Sequence, residues 1–335
     1  MKEVYPGIFL IKEKGLFSFL KPPVNIYVIT GEDGLVFDGG YGSFCSIRQF
    51  SKQYEEIERI CKKRGVNNKI NRILLSHCHA DHFSGLLALK KKYGFKILLT
   101  ERMAELIKSS ESYRKSYTIE KKKSGGSLCA YLFDLFSKAL SKIEYLLYSS
   151  YWGINFVPVP DIVITENWKI FINNEQWEIF HSPGHSDDHI TLYNREKGVL
   201  FSGDNVMKSI NVWLGPPRSN LADYEKSLEF MLTLPELSLI LPAHGSSLDN
   251  PTFRIREILQ WRKKRTEDVY RIISDSGENG ITLKEIIWKL YPYHSKIKRD
   301  FARGWVELTI EELQKSGEIE INGINLYKAP AKLIR

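Results

Sequence analysis

The sequence of 335 residues predicts a mixed α/β (α+β) protein with a helical insert and a small C-terminal module. Three observations lead to this prediction. Short apolar strands alternate with amphipathic helices through the first 250 residues. Residues 101–155 interrupt this alternation with helical patterns alone. From about residue 251 onwards, helices are followed by a short hairpin pattern.

The composition is ordinary for a globular protein, with 43% hydrophobic and 26% charged residues. The formal net charge of +8 favours acidic partners or substrates without requiring nucleic acid. No CxxC pair occurs, which predicts free thiols in a reducing compartment. The cysteines are Cys45, Cys61, Cys78 and Cys129. No signal-peptide core and no apolar run of about 18 residues is present, so we expect a cytoplasmic protein without a membrane span.

The first 100 residues predict strands separated by helices. "GIFLI", "NIYVIT" and "GLVFDGG" are rich in β-branched and aromatic residues, with Gly, Pro and Asp between them. A helix over about 46–65 is predicted from apolar residues at three- and four-residue intervals and from Gly65 at its end. The strand "INRILLS", the helix "GLLALKKKYG" and the strand "FKILLT" follow.

Strands resume after the insert with "DIVIT", "WKIFI", "EQWEIFH", "HITLYN" and "GVLFSGD". The helix "NLADYEKSLEFMLTL" leads to the strand "LSLILPAHG". A long connecting helix from about residue 253 then precedes two shorter helices, "TLKEIIWKLYP" and "FARGWVELTIEELQKSG". The hairpin "EIEINGINLYKA" turns at Asn-Gly. Helices followed by a small hairpin predict a winged-helix module.

Four residues with metal-ligating side chains lie within six positions, directly after the apolar strand "INRILLS". They are His77, His79, Asp81 and His82. Imidazoles and carboxylates are the usual protein ligands of Zn²⁺ and related divalent ions. Since side chains alternate along an extended chain, His77 and His79 can face the same ion, and Asp81 and His82 can serve a second. A structural role alone does not explain so dense a cluster.

Further ligand-type residues follow three other predicted strands. His185 lies in "SPGHSDDH", Asp204 in "LFSGD" and His244 in "LILPAHG". Each is next to Gly or Pro residues, which form tight loops. Taken alone, each could be a loop residue with satisfied hydrogen bonds. Together they supply the ligands that two coordination spheres still need, so the sequence predicts a metal site at strand ends.

These motifs resemble those of the metallo-β-lactamase-fold hydrolases, over residues 1 to about 250 apart from the insert. The resemblance implies a four-layer αβ/βα sandwich. It implies that His77, His79 and His185 bind one metal ion. It further implies that Asp81, His82 and His244 bind a second, with Asp204 bridging the two. Asp38 in "GLVFDGG" matches an acid that steadies the site, although a turn aspartate at a strand end is an equal alternative.

The resemblance also favours hydrolysis over redox chemistry, because His79 stands where related diiron flavoproteins carry glutamate. We expect two divalent ions, with Zn²⁺ preferred and Fe and Mn as alternatives. Ions about 3.5 to 4 Å apart can share a bridging water and lower its pKa. Asp81 is the expected acceptor of the proton from the attacking water. His189 is a candidate donor to the leaving group, although a supporting role is the alternative.

The sequence predicts a catalytic domain over residues 1–250 and a connecting helix with a winged-helix-like module over 251–335. The whole arrangement resembles the lactamase-β-like protein group, some of whose members cut single-stranded RNA. Against RNA, the candidate recognition helix carries more acid than base. The basic segment "SKIKRD", residues 295–300, could contact phosphates or be a solvated charge run.

The insert at about 101–155 favours a small apolar substrate, because helices with a wide apolar face could form a lid. The predicted lining residues are Tyr131, Phe136, Tyr148 and Trp152. Core packing and a homodimer contact are the alternatives for this face. We therefore expect a dinuclear hydrolase of a small acyl substrate, namely an ester, thioester or lactone. A single-strand-specific endoribonuclease is the alternative, and a non-catalytic binding protein is a third.

Overall fold

The computed structural model describes residues 1–13, 21–118, 149–165, 167–209 and 212–329. Contacts within the chain divide it into two units. Unit 1 comprises Met1–Phe180, Ile190–Asn194 and Ala243–Gly245. Unit 2 comprises His181–His189, Arg195–Pro242 and Ser246–Arg335. Each predicted metal ligand therefore belongs to one unit or the other.

Seven strands of unit 1 form a sheet in which spatial order follows sequence order. β1 to β4 are antiparallel neighbours, whereas β4 to β7 are parallel neighbours with helices in their connections. The strands are β1 (Lys2–Tyr5), β2 (Ile8–Glu13), β3 (Val24–Ile29), β4 (Gly34–Phe37), β5 (Ile70–Leu74), β6 (Lys96–Thr100) and β7 (Ile162–Ile164). The predicted strands in this part of the sequence are all present.

Helices connect the parallel strands of unit 1. They are α1 (Phe44–Lys63), α2 (Ala80–Phe83), α3 (Leu86–Tyr93), α4 (Glu101–Ile107) and α5 (Ser110–Ser116). The α1 residues Phe50, Tyr54 and Ile57 are buried, as their three- and four-residue spacing predicts. The predicted helical insert is described only at its two ends. Tyr131, Phe136 and Tyr148 lie outside the described residues.

Three further strands of unit 1 lie side by side, in the order β8, β9 and β10. They are β8 (Lys169–Ile172), β9 (Glu175–His181) and β10 (Ile190–Asn194). β8 and β9 form an antiparallel hairpin whose turn residues, Asn173 and Asn174, both have positive φ. Asparagine tolerates this backbone region, and such turns match the twist of paired strands.

In unit 2, β11 (Val199–Gly203) and β12 (Leu239–Pro242) form a parallel pair, with α6 (Leu221–Leu232) between them in sequence. The C-terminal part contains α7 (Pro251–Ser274), β13 (Ile281–Thr282), α8 (Leu283–Leu290), α9 (Lys296–Lys315), β14 (Ile319–Asn322) and β15 (Asn325–Lys328). Its three strands form an antiparallel sheet in the order β13-β15-β14. The predicted hairpin is present, and the winged-helix assignment stays a prediction.

The C-terminal part belongs to the same packing unit as residues 181–189 and 195–242. The predicted domain boundary at residue 250 stays a prediction. Throughout the part of the chain that the structure describes, no helix combines the length and apolar character needed to cross a bilayer.

Candidate metal centre

The carboxyl ends of β4 and β5 bring Asp38 and the histidine cluster together. The two strands are parallel neighbours, with Phe37 opposite Leu74. The Asp38 N–H donates to the Leu74 carbonyl at 2.8 Å. Asp38 has a φ of +70°, a left-handed conformation that aspartate tolerates better than most residues. Its turn ends β4 and directs the following glycines onto α2, where the Gly39 N–H donates to the His82 carbonyl at 2.8 Å.

Asp38 is fully buried and links the cluster residues to one another. It accepts hydrogen bonds from the Ser76 N–H at 2.7 Å and from the Ser76 hydroxyl at 2.9 Å. His82 Nδ1 lies 3.0 Å from Asp38 Oδ2, and His77 Nδ1 lies 3.0 Å from Ser76 Oγ. Since these contacts fix both rings through Nδ1, each ring presents Nε2 as the atom that can ligate a metal.

His77 and His79 place two ring nitrogens side by side. His77 Nε2 lies 2.9 Å from His79 Nδ1. His79 has an extended backbone conformation and directly precedes α2. A single zinc ion sits about 2.0–2.1 Å from an imidazole nitrogen, so one ion can reach both nitrogens.

Asp81, His82 and His244 form a second ligand group within unit 1, with one ligand atom from each lying within 4.8 Å of the others. His82 Nε2 and His244 Nε2 lie 3.6 and 3.2 Å from Asp81 Oδ2. Burial acts to raise the pKa of the Asp81 carboxyl, but the neighbouring imidazoles of His82, His244 and His79 outweigh it and hold that pKa well below its ordinary value. Asp81 is therefore a carboxylate at neutral pH.

The start of β3 holds His244 in place. His244 Nδ1 lies 2.7 Å from the Pro23 carbonyl, so the Nδ1–H donates and Nε2 is left as the ligating nitrogen. On either side of His244, the Asn25 N–H donates to the Ala243 carbonyl at 2.8 Å and Asn25 Nδ2 donates to the Gly245 carbonyl at 3.1 Å. A segment 220 residues away in sequence thus fixes this predicted ligand.

His185 and Asp204 are the predicted ligands of unit 2. His185 Nε2 lies 3.5 Å from Asp204 Oδ2, and His185 Nδ1 donates to the Trp213 carbonyl at 2.8 Å. Gly184 is required beside His185, because a Cβ there would lie 2.2 Å from the Tyr224 Cα on α6. This tight contact is the physical reason for glycine in the "SPGH" turn.

His189 lies in the loop that also carries His185, and it supports Asp204. The Asp204 N–H donates to His189 Nε2 at 3.1 Å, while His189 Nδ1 lies 2.9 Å from Ser182 Oγ. Asn205 Nδ2 donates to the Ser182 carbonyl at 2.7 Å, and the Tyr224 hydroxyl donates to the Asn205 carbonyl at 2.8 Å. His189 is fully buried within this network. The network fixes the backbone from which the Asp204 carboxylate projects.

Arg218 holds the two aspartates between His185 and His189. Its guanidinium donates to Asp187 Oδ1 at 2.9 Å and also forms a short contact with Asp188. Arg218 and Asp188 are both almost fully buried. The next residue, Ser219, donates its hydroxyl to the His185 carbonyl at 2.7 Å. The segment 213–219 therefore supports the His185 loop from several sides.

The donor atoms in each unit fit a divalent ion. Two ligands at about 2.1 Å from a tetrahedral ion lie about 3.4 Å from each other. The distances within unit 1 are 3.6 Å from His82 Nε2 and 3.2 Å from His244 Nε2 to Asp81 Oδ2. The distance within unit 2 is 3.5 Å from His185 Nε2 to Asp204 Oδ2. Imidazole and carboxylate donors at these separations are typical of zinc, iron and manganese sites.

Sequence reasoning did not identify the residues that orient these ligands. Ser76, Asn25, Trp213 and Arg218 have no motif that marks them. Ser76, Asn25 and Arg218 act through side chains, but the contacts that fix His185 and His244 are made by the main-chain carbonyls of Trp213 and Pro23. Every residue type carries a carbonyl, so no sequence signal could have found these two contacts.

The chain matches a known protein family over most of its length. Residues 21–244 match the Metallo-beta-lactamase superfamily. This range runs through all seven predicted metal ligands and Asp38. An acyl-coenzyme A thioesterase, MBLAC2 of Bos taurus, is 34% identical over 251 residues, which are 72% of this chain and 80% of the relative.

Other curated relatives match over shorter ranges. The lactamase-like protein aptB of Emericella nidulans is 35% identical over 120 residues, or 33% of this chain and 37% of the relative. A beta-lactamase-like protein 2 homolog of Caenorhabditis elegans is 25% identical over 166 residues, or 49% of this chain and 54% of the relative. The chain thus spans about half or less of the length of these two relatives.

Two crystal structures share the fold over nearly the whole chain. A metallo-beta-lactamase family protein from Thermus thermophilus has a TM-score of 0.70 at 19% identity, covering 97% of this chain and 100% of that one. A beta-lactamase domain protein from Burkholderia ambifaria has a TM-score of 0.71 at 20% identity, covering 98% of this chain and 93% of that one. The predicted fold class is confirmed by these matches.

Proposed function

This chain belongs to the metallo-beta-lactamase superfamily and is a metal-dependent hydrolase, and we propose that its substrate is a small acyl thioester. The observation that carries the proposal is the similarity to an acyl-coenzyme A thioesterase over 72% of this chain. Of the three predicted substrate classes, namely esters, thioesters and lactones, this similarity favours thioesters. The ligand geometry in both units agrees with hydrolysis that depends on divalent ions.

Within this proposal, the seven predicted ligands hold a pair of ions. His77, His79 and His185 serve the first ion, and a second ion takes Asp81, His82 and His244. Asp204 would complete the ligand set. The family match supports this assignment because it extends through all of these positions, from residue 21 to residue 244. Four imidazoles have Nδ1 contacts that leave Nε2 for the metal, namely those of His77, His82, His185 and His244. His79 instead faces His77 through Nδ1.

When bound, the ions supply a water of lowered pKa and polarise the carbonyl of the substrate. The residues of the chain bind and orient the reactants. Asp81, whose Oδ2 lies 3.2 Å from His244 Nε2, is the proposed group that would orient the attacking water and accept its proton. His189 is a positioning residue in this proposal, because Nε2 accepts from the Asp204 N–H and Nδ1 contacts Ser182.

An aromatic cluster beside His79 supports an apolar acyl group as part of the substrate. The Tyr117 ring centroid lies 6.4 Å from that of His79 and 5.2 Å from that of Tyr113. Tyr113 also contacts Phe83 and Phe156, with centroids 5.3 and 5.8 Å apart. Tyr113 and Tyr117 come from the described start of the predicted insert. Aromatic side chains offer apolar surface with a polar end, which suits an acyl chain next to a reactive carbonyl.

The alternative, a single-strand-specific ribonuclease, predicts a different response to salt. RNA cleavage should weaken steeply with added salt, because protein cations that bind phosphates release counterions. Turnover of an uncharged model thioester should change little under the same conditions, so the salt comparison uses such a substrate rather than acyl-coenzyme A, whose phosphates respond to salt themselves. In α9, Glu307 pairs with Arg303 at 2.7 Å, so one of the few cations of the candidate recognition helix is already neutralised.

The test measures hydrolysis of short- and long-chain acyl-coenzyme A substrates and of a single-stranded RNA by metal-loaded protein. We expect thioester hydrolysis, with thiol release as the readout. His79→Ala should lose bound metal and about a hundredfold or more of the rate, because even partners of metal ligands contribute 10–100-fold. His294→Ala is the matched control, since His294 is exposed and lies outside the ligand set.

Metal stoichiometry measured on the same samples separates the possible failures. Full turnover by His79→Ala with unchanged metal content would rule out the proposed ligand role. Cleavage of RNA but of no thioester would establish the alternative. Metal-replete protein that turns over neither substrate would favour the third prediction, a binding protein that keeps the fold.

A further inference from the structure

A cavity of about 510 Å³ lies in the C-terminal part of unit 2. It is lined by residues of β13, of α8, of α9 and of the β14–β15 turn. The lining residues are Thr282, Leu283, Lys284, Ile287, Trp288, Lys296, Arg299, Asp300, Arg303 and Ile324. The volume is within the range of about 300–1,000 Å³ that is typical of small-molecule sites. None of the lining residues is a predicted metal ligand.

The charge of the lining favours an anion. Four lining residues are cationic, namely Lys284, Lys296, Arg299 and Arg303, and Asp300 is the one lining carboxylate. Arg303 pairs with Glu307 outside the lining. Among the residues that the structure describes, Lys284 and Lys296 form no ion pair, so their charges are available to a ligand. The first turn of α9 contains no acidic residue, and Asp300 follows in the next turn as the single carboxylate against four cations.

The lining also contains an aromatic and apolar surface. The Arg299 guanidinium lies over the Trp288 ring, 3.8 Å from its centroid. Arg299 Nη1 donates to the His294 carbonyl at 2.6 Å, which fixes the guanidinium in that place. Trp288 is 48% exposed and Ile324 is 80% exposed, so apolar surface faces solvent at this cavity. A fully hydrated ion such as inorganic phosphate would leave that surface uncovered.

We propose that this cavity binds a phosphorylated nucleotide, with the phosphate on Lys284 and Lys296 and the base on the Arg299–Trp288 pair. Bases stack on aromatic rings and on guanidinium planes, and lysine and arginine neutralise phosphate. The shared chemistry is a flat base with a phosphate, whether it belongs to a free nucleotide, to a nucleotide-containing cofactor or to a nucleic-acid strand. This inference is independent of the thioester proposal, because it uses no metal ligand.

The test is isothermal titration calorimetry of the full-length protein with four probes at low salt. They are adenosine 5′-monophosphate, adenosine, inorganic phosphate and a single-stranded hexaadenylate. We expect the mononucleotide to bind at least about tenfold more tightly than adenosine or phosphate, because it alone joins stacking to charge neutralisation. A hexaadenylate that binds tighter still, with a steep salt dependence, would identify a strand as the source of the nucleotide. Equal affinity would identify a free nucleotide.

Variants of exposed lining residues test the assignment of the two contacts. Trp288→Leu should weaken mononucleotide binding by about tenfold, the equivalent of one lost stacking contact. The double variant Lys284→Gln/Lys296→Gln should weaken mononucleotide binding to a similar extent and reduce the salt dependence of that binding. Lys315→Gln, at the other end of α9, is the matched control and should bind as the unaltered protein does. Thermal unfolding of each variant checks that the fold is kept.

Three results would overturn the proposal. The first is no heat of binding with the mononucleotide or the hexaadenylate at millimolar concentration. The second is binding that both variants leave unchanged. The third is a second copy of the chain as the occupant, which would appear in light scattering as a dimer that Trp288→Leu dissociates and that no nucleotide enters.

Discussion

At the scale of single residues, Asp38 combines an unusual backbone conformation with a central position among the unit 1 ligands. Its positive φ of +70° ends β4, and its carboxylate accepts from Ser76 and faces His82 Nδ1. The carboxylate thereby orients the ring of His82, a predicted metal ligand. Acids in this position raise the basicity of the imidazole and fix its tautomer.

Replacing Asp38 with asparagine should weaken metal binding more than it weakens folding. Asparagine keeps the shape and tolerates positive φ, but it removes the charge that orients His82. We expect metal affinity, measured by competition with a chelator, to fall by about 10- to 100-fold. The melting temperature of the metal-free protein should change little by comparison.

Asp275→Asn provides a control that removes one exposed aspartate with the same change in net charge. Its metal affinity should equal that of the unaltered protein. If Asp38→Asn binds metal as tightly as the unaltered protein, Asp38 does not support the metal site, and its role is confined to the turn after β4.

At the scale of elements, one carboxylate ties α3 to the parallel strands of unit 1. Asp161, directly before β7, lies 2.6 and 2.7 Å from Lys90 Nζ on α3 and accepts from the Ile97 N–H of β6 at 2.8 Å. Partial burial acts to raise the pKa of Asp161, but the bonds from Lys90 and Ile97 outweigh it and lower that pKa. The folded state therefore favours the carboxylate.

Asp161→Asn should destabilise the protein at neutral pH but not in acid. Because the pKa is lowered on folding, the stabilisation is present above the unfolded pKa of about 3.9 and is lost as the pH falls. We expect a loss of about 1 kcal/mol or less at pH 7, since Lys90 is more than one third exposed and solvent screens the pair. Urea unfolding at pH 7 and at pH 3 measures this difference.

The control for this prediction is Lys108→Met, which breaks the exposed ion pair between Lys108 and Glu105. At both pH values it should change the free energy of unfolding less than Asp161→Asn does at pH 7. A loss of equal size at pH 7 and pH 3 for Asp161→Asn would show that the ionised state of the carboxyl plays no part.

Element boundaries were predictable where a pattern was long and periodic. The helix over 46–65 is observed as α1 over 44–63, and the strand segments of both units are found where they were predicted. α9 begins at Lys296, five residues before the predicted start at Phe301. Its N-cap is Ser295, whose side chain accepts a hydrogen bond from the Lys298 N–H. The first turn was not predicted because this basic segment has no helical spacing of apolar residues.

At the scale of the whole molecule, the C-terminal part is packed against the segment that holds His185. A Cβ on Gly304 of α9 would lie 2.5 Å from the Leu214 carbonyl oxygen, so helix and loop are in backbone contact. The neighbouring Trp213 carbonyl accepts from His185. A continuous path of contacts within unit 2 thus runs from α9 to a predicted metal ligand.

Deleting residues 264–335 should therefore impair both folding and metal binding. The deletion removes α8, α9 and half of α7, and it exposes apolar surface of α6 and the 213–219 segment. We expect a lower melting temperature and less bound metal per chain, measured by calorimetry and by metal analysis. A truncated protein with unaltered melting temperature, metal content and turnover would show that the C-terminal part neither supports nor shapes the site.

Gly304→Ala tests the same contact in the full-length chain. In most helices, replacing glycine with alanine raises the free energy of unfolding by up to about 1 kcal/mol. Here the added methyl group has no room beside the backbone of Leu214. We expect destabilisation and weaker metal binding, whereas Gln314→Ala at an exposed position of α9 should be neutral.

The sequence by itself determined the fold class and the family, and it predicted which residues are the metal ligands. These predictions were possible because the spacing of apolar residues and the clustering of histidine and aspartate can be read directly from the order of the residues. Tertiary structure alone decided how the ligands are oriented, through the carbonyls of Pro23 and Trp213 and the carboxylate of Asp38. It also decided that residues 246–329 pack with residues 181–189, 195–209 and 212–242. Main-chain acceptors and contacts between distant segments depend on where the folded chain passes, and no local pattern of side chains records that path.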